Sequence, residues 1–415
     1  MVDEGELRPV YCQQISPHAG YSPPVSNRWL ILGIIFLTRL SMGFQFQSVA
    51  SVAPFLVDDF RISYGQVGML MGLYLLPGGV IALPGGMLGQ RFGERRLVLI
   101  ALVLMAAGGL GMAWSESFAV ASAGRIVSGI GGVLMNVLLA KMVADWFRGK
   151  EIATAMGVML TSWPVGMGLA LASLGTVAAT YSWRGSILLT AAAPAVAFVL
   201  MLFLYRDPPG APAEGTERLL VGLAPKELAL ATIGGLGWGL FNASYVVFLS
   251  FAPAFLAGDN RSVGAAGAIV SLGIWVTLVS IPLGGLLADR LGRPGPLIAG
   301  GTFGVALAMV AFPYFDSPAL WCVLVGLLAG AAPGALMALL PKALREAALA
   351  PAFGVYYTVF YLSMAAMPGV AGGLRDRYAS PEAPLFFAAA LMSTVVLAVV
   401  AFRVVERTPS AAART

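Results

Sequence analysis

Apolar blocks of roughly 18 to 25 residues recur down this chain with short polar turns between them. About 20 residues is what a helix rising 1.5 Å per residue needs to cross a hydrocarbon core of about 30 Å. Nothing else in the sequence limits the fold so narrowly. The blocks are read as membrane helices near 29–56, 65–88, 97–114, 119–144, 152–177 and 185–205. Six more follow near 228–256, 264–288, 297–315, 318–341, 351–374 and 384–403. The class expected is an all-α membrane protein of twelve helices in two six-helix halves.

Composition agrees. Only 11% of residues are charged and 59% are hydrophobic, with a mean hydropathy of +0.85. A soluble domain carries about 25% charge, so this chain could not keep a large surface wet. The 51 glycines and 26 prolines lie inside the blocks as well as between them, as membrane helices tolerate. A net charge of +5 would suggest nucleic acid in a soluble protein; here it follows from basic cytoplasmic loops. Cys12 and Cys322 make no disulfide framework, and no metal-ligand spacing or cofactor motif is present. Residues 1–27 are polar and the first apolar block runs on as a full span, so no signal peptide is expected.

The expected organisation is a cytoplasmic tail (1–27), a first half (28–205), a cytoplasmic linker (206–226), a second half (227–404) and a cytoplasmic tail (405–415). Parallel halves built of inverted three-helix repeats are a known transporter plan. With both termini inside, the inner face collects roughly 17 Lys and Arg, including Arg91, Arg95, Arg148, Lys150, Arg290 and Arg293, and the outer face roughly five. The short loops and sparse cysteine fit a bacterial inner (plasma) membrane.

Between the second and third spans the chain reads Gly86-Met-Leu88-Gly-Gln90-Arg91-Phe-Gly93-Glu94-Arg95-Arg96, and about 199 positions later Gly285-Leu-Leu287-Ala-Asp289-Arg290-Leu-Gly292-Arg293. Glycine lets two helices touch, an acid caps or pairs across the face, and the cations hold the loop in water. This doubled run resembles the loop signature of the major facilitator superfamily, G-x-L-x-D-R-x-G-R. A further relic, Gly373-Leu-Arg375-Asp376-Arg377, ends the eleventh span, and Arg125-Ile-Val-Ser-Gly129-Ile-Gly131 is similar to the family's R-x-x-x-G-x-G. Gln90 stands where the family has Asp, so a charged latch between the halves should be weaker or differently made. The drug-antiporter signature ending G-P-x-x-G-G is not matched cleanly: Ser162-Trp163-Pro164-Val-Gly166-Met-Gly168 has the Pro and glycines but puts Trp before the Pro. The resemblance is nearest to the branches that carry anions and organic anions such as cyanate, nitrate and carboxylates. It implies a transporter, not an enzyme, working as a monomer in the bilayer on a small molecule, with a proton or a counter-substrate.

Ionisable residues at membrane depth are costly and are functional candidates by default. Arg39 lies about 15 Å into the first span, near the midplane. Every Asp and Glu falls in a tail, a loop or a span edge, and the only histidine, His18, is in the N-terminal tail. A proton relay through the core is therefore missing, and Arg39 has no evident buried counter-ion. By resemblance the first, fourth, seventh and tenth helices line the cavity, so Arg39 looks like a substrate-anion ligand, its fork suited to carboxylate or phosphate. The alternative is that it bonds backbone carbonyls or Gln45, Gln47 or Asn136 and shapes packing. Arg125 divides the other way, more toward packing and gating. Lys141 is read as an interface anchor. Asn136, Asn242, Tyr245, Trp163, Trp275, Tyr357 and Tyr361 complete the candidate binding set, although aromatic residues at helical spacing more often pack than bind. The loop residues Gly86, Gln90, Arg91, Gly93, Arg95, Gly285, Asp289, Arg290, Gly292 and Arg293 are assigned to gating.

The functional expectation is alternating-access transport of a small, anionic organic acid or inorganic anion, with Arg39 meeting its charge. Efflux of amphipathic compounds is the alternative, supported by a Met-, Phe- and Trp-rich lining. A ligand sensor on the same fold would need a docking domain that the short tails and linker do not offer.

Overall fold

The computed structural model describes residues 25–82, 84–148, 151–208, 222–258, 261–291 and 294–408. The tails 1–24 and 409–415, with Arg8, Cys12, His18 and Arg414, lie outside the described residues, as do Leu83, Lys150, linker residues 209–221 with Arg218, and Gly292 and Arg293.

Among the described residues twelve helices are long and apolar enough to cross a membrane. We label them α1 (Arg28–Ser51), α2 (Tyr64–Ile81), α3 (Glu94–Ala113), α4 (Phe118–Trp146), α5 (Thr154–Thr180), α6 (Trp183–Leu204), α7 (Pro225–Ala257), α8 (Val263–Ala288), α9 (Gly295–Tyr314), α10 (Pro318–Ala343), α11 (Ala347–Tyr378) and α12 (Ala383–Arg407). Large apolar side chains point outward on the peripheral helices: Phe203 is 72% exposed, Phe303 66% and Leu397 67%. Only a lipid surround makes such a surface tolerable.

The edges differ from the periodicity in places where proline and glycine explain them. The first apolar block ends at Ser51, and a short helix, Ala53–Phe60, follows with Pro54 in its first turn. The second block breaks at Pro77 and Pro84 into pieces that run on to Phe92, because proline has no N–H to continue the ladder. Gly93, at φ +85, turns the chain into α3, a conformation that glycine alone adopts freely. The tenth block is likewise broken around Pro333.

Packing repeats between the halves. In the first half α1 packs on α5 and α6, α2 on α4, and α3 on α4 and α6. Shifting every label by six reproduces the second half: α7 on α11 and α12, α8 on α10, α9 on α10 and α12. The halves meet along α2–α11 and α5–α8, which are also equivalent pairs. They touch backbone to backbone, which glycine permits. A Cβ on Gly68 would stand 2.5 Å from the carbonyl carbon of Pro368, and one on Gly72 2.9 Å from that of Ala365. On the other seam, a Cβ on Gly175 would stand 3.0 Å from the oxygen of Val263.

All these close approaches lie on one side, called here the far side. Toward the opposite side, which carries the Gly93 turn and Arg290, the same helices separate: a Cβ on Gly157 of α5 or Gly285 of α8 would meet nothing within 4 Å. The halves are closed on the far side and parted on the basic side.

The far-side seal has a polar clasp. Ser63 caps α2 by accepting from the Gln66 N–H, and Gln66 returns the bond to the Ser63 N–H at 3.0 Å. The remaining first-turn donors, Tyr64 N–H and Gly65 N–H, go to the carboxylate of Asp376 at the end of α11, at 3.0 and 2.7 Å. Arg375 lies 3.6 Å over the Tyr64 ring. The α2 terminus is thus satisfied by the other half of the molecule.

Candidate functional site

Arg39 sits in the middle of α1 and is 8% exposed. Its Nε donates to Asn136 Oδ1 of α4 at 2.8 Å. Its Nη1 is shared among the carbonyls of Met159 (3.2 Å) and Leu160 (3.0 Å) and Ser162 Oγ (3.4 Å), all on α5. The Leu160 carbonyl is reachable because Pro164, inside the helix, cannot donate to the oxygen four residues before it. The Nη2 amino group makes no hydrogen bond among the described residues, and no carboxylate there pairs with the guanidinium. Asn136 spends its amide N–H on Tyr361 Oη of α11, at 3.2 Å. A single polar chain therefore runs Arg39–Asn136–Tyr361 from the first half into the second, at the level where the far-side seal ends.

Around that chain the second half presents rings. Tyr361 packs on Phe360 with centroids 5.1 Å apart, and Phe360 meets Tyr357 at 6.1 Å and Trp238 of α7 at 6.4 Å. Trp238 is stacked on Phe241 at 5.8 Å. Trp238, Phe360 and Tyr357 are half-buried, whereas Leu362, Ala366 and Val370 on another face of α11 are exposed. Trp238 and Phe360 are absent from the set anticipated from sequence. A signal was available: the loop repeat is offset by about 199 positions, which pairs Arg39 with Trp238. A cation in one half thus stands at the place of an indole in the other.

The remaining expected residues fall into three situations. Asn242 is on α7 but its amide is turned back on the Trp238 carbonyl at 2.8 Å. Tyr245, one turn farther out, has a buried hydroxyl directed toward Thr277 of α8. Trp163 packs beside Phe46 (5.2 Å) with its backbone against Gly43, and Trp275 donates to Ser271 Oγ at 3.2 Å while its ring lies against Gly168 at the α5–α8 seam. Both tryptophans are set between helices.

Arg125 is 1% exposed, and all three of its nitrogens donate to backbone oxygens: Nε to Leu70 (3.0 Å), Nη1 to Gln45 (3.0 Å) and Nη2 to Phe46 (3.1 Å). Its guanidinium lies 4.6 Å from the Tyr74 ring centre. It ties α4 to α1 and α2. Asn136, on the same helix, faces Arg39 instead.

On the basic side, Lys141 forms ion pairs with Glu94 and with Asp145, the latter at 3.6 Å, and Asp145 also holds Arg148 at 2.9 Å. Arg95 reaches the Leu202 carbonyl at 2.7 Å and Arg91 lies 5.4 Å from the Phe92 ring centre. Arg290 is exposed. Gly86, Gln90 and Asp289 lie on helical backbone, and the side chains of Gln90 and Asp289 fall outside what is described. In the second half the corresponding face is tied by Glu227 and Arg345, at 2.8 Å. Each of these basic-side pairs joins elements of one half.

The comparisons with known proteins agree with this architecture. The chain is 27% identical over 362 residues to the 3-(3-hydroxy-phenyl)propionate transporter of Escherichia coli, covering 84% of this chain and 87% of that one. It is 20% identical to the hexuronate transporter of Bacillus subtilis over 269 residues, 62% of this chain and 64% of that protein, just under two thirds of its length. Among solved structures, a bacterial homologue of the human lysosomal transporter Spinster, inward-facing and occupied, superposes with a TM-score of 0.73 at 14% identity, over 93% of this chain and 98% of that one. The family profile described as the Major Facilitator Superfamily matches residues 35–255 and again 235–415. Twelve spans, a packing pattern that repeats at every sixth helix and a profile that matches twice make the chain a member of that superfamily, a transporter of small molecules and not an enzyme.

Proposed function

We propose that this protein is a secondary active transporter of small organic anions, carboxylates above all, with Arg39 as the ligand for the charge. The observation that carries the reading is the unspent Nη2 of a guanidinium held near the midplane with no carboxylate partner among the described residues. A buried cation without a counter-charge is costly, and a transported anion supplies one. Because Asn136 links Arg39 to Tyr361 across the halves, an anion bound there acts on both, which is what alternating access asks of a substrate. The relatives named for hexuronate and 3-(3-hydroxy-phenyl)propionate carry organic acids, which supports the class.

The rings of Trp238, Phe360 and Tyr357 give the anion's body an apolar surface, and Arg125 acts through packing. Coupling to a proton or exchange against a second anion fits a core without a membrane-depth carboxylate. We place both termini in the cytoplasm of a bacterial cell and the working unit as a monomer. The aromatic run is also what favours the second reading, efflux of amphipathic compounds.

A thermal-shift screen of the purified protein separates the two. Aromatic and aliphatic carboxylates, phosphate, nitrate, cyanate and cationic drugs would be tested on the parent and on Arg39→Gln, since a ligand stabilises by mass action. The expected result is stabilisation by a carboxylate that disappears in Arg39→Gln. Stabilisation by cations or neutral amphiphiles, indifferent to Arg39, would replace this reading with efflux.

A further inference from the structure

A groove of about 320 Å³ opens on the membrane-facing surface between α9 and α12, far from Arg39. Its α12 wall is the stripe Val396, Val400 and Val404, one residue per helical turn, and Ile298 faces it from α9. Val400 and Val404 are 55% and 62% exposed, and in a membrane that exposure is to acyl chains. The basic-side end changes character, because Arg403 and Arg407 line it. Arg403 is paired with Glu406 at 2.8 Å, whereas Arg407 has no ion pair among the described residues. Lys226 reaches the same helix end and donates to the carbonyls of Glu406 (2.7 Å) and Thr408 (2.8 Å). Two cations, Arg403 and Arg407, therefore stand at the mouth of an apolar channel, and only Arg403 is paired with a carboxylate. The groove is widened at this end by Gly295, where an added Cβ would meet nothing within 4 Å.

We propose that this groove holds one phospholipid with a net negative headgroup, an acyl chain lying along the valine stripe and the phosphate against Arg403 and Arg407. Charge complementarity selects the occupant: basic pockets between membrane helices favour anionic headgroups, and each cation near the surface contributes a factor of about 5 in affinity. A soluble anion would leave the apolar wall unused. A zwitterionic lipid would leave the excess positive charge uncompensated.

The test uses full-length protein in detergent, titrated with phosphatidylglycerol, phosphatidylcholine or the water-soluble headgroup glycerophosphoglycerol, with thermal stability and lipid retained in native mass spectra as readouts. Phosphatidylglycerol is expected to stabilise and to be retained, and the other two are not. Arg403→Gln with Arg407→Gln should raise the half-saturating concentration about 25-fold, while the paired Lys substitutions keep the response. Gly295→Phe places a ring at the basic-side end of the groove, where an added Cβ meets nothing within 4 Å, and should reduce retention while the lipid-free protein stays folded. Equal stabilisation by phosphatidylcholine, a response to the soluble headgroup alone, or undiminished retention in Gly295→Phe would overturn the proposal. None of these readouts depends on transport.

Discussion

The far-side seal depends on two glycines one helical turn apart, and Gly68→Ala with Gly72→Ala tests it directly. A methyl on Gly68 would lie 2.5 Å from the Pro368 carbonyl carbon and 2.9 Å from the Gly369 nitrogen; one on Gly72 would lie 2.9 Å from the Ala365 carbonyl carbon. The carbonyl oxygens of Pro368 and Ala365 lie closer still, and non-bonded atoms pack best from about 3.5 Å, so α2 and α11 must part by more than about 1 Å. The obstacles are backbone atoms of a helix and cannot swing aside. Overpacking of this kind costs about 1–3 kcal/mol, charged only to the conformation in which α2 and α11 touch. The equilibrium should therefore move toward the opposite, far-side-open state by a factor of about 5 to 150.

Gln47 reports it. The residue lies on α1, two turns outward of Arg39, and is 0% exposed. In a Cys12→Ser, Cys322→Ala background, a Gln47→Cys reporter should react with a soluble maleimide about 5 to 150 times faster once the glycines are replaced. Gly157→Ala and Gly285→Ala, which meet nothing within 4 Å, should leave the rate unchanged. Unaltered labelling in the Gly68/Gly72 variant, or an equal rise in the controls, would refute the assignment of this seam as the closed gate.

Other outcomes follow from the same contacts. Asp376→Asn weakens the bonds to the Tyr64 and Gly65 N–H groups. It should speed labelling of the Gln47→Cys reporter by a factor of about 5, as loss of about 1 kcal/mol of helix capping implies. Arg125→Gln removes charge-assisted bonds to three backbone carbonyls. It should cost at least about 1.5–3 kcal/mol, visible as a lower melting temperature, with any carboxylate-induced shift retained. Trp238→Leu should weaken binding of aromatic carboxylates by a factor of about 2 to 12, the worth of an aromatic pair, and leave aliphatic ones unaffected. Equal losses for both would return Trp238 to a packing role.

Much of this protein is legible in its sequence. Span length and low charge dictate a helical membrane protein, because hydrocarbon leaves the backbone no other partner than itself. The repeated loop run announces two related halves, and the isolation of Arg39 from every acid follows from where the acids fall along the chain. Proline and glycine in α2 and α10 hint at the breaks without locating them.

Other features are decided by side chains that are distant in the chain. Arg39 and Arg125 read alike as membrane-depth cations, yet one keeps an unspent amino group beside the second half and the other is consumed by the carbonyls of Leu70, Gln45 and Phe46. Nothing in local spacing distinguishes them, because what each guanidinium meets depends on how α4 and α5 cross α1. Lys141, readable as an interface anchor, finds Glu94 across the fold. The capping of α2 by Asp376, 312 positions from Tyr64, is likewise invisible until α2 and α11 are brought together. Composition and period determine that helices form and span the membrane; which helices touch, and on which side the halves part, is set by close packing between surfaces that only the tertiary structure brings together.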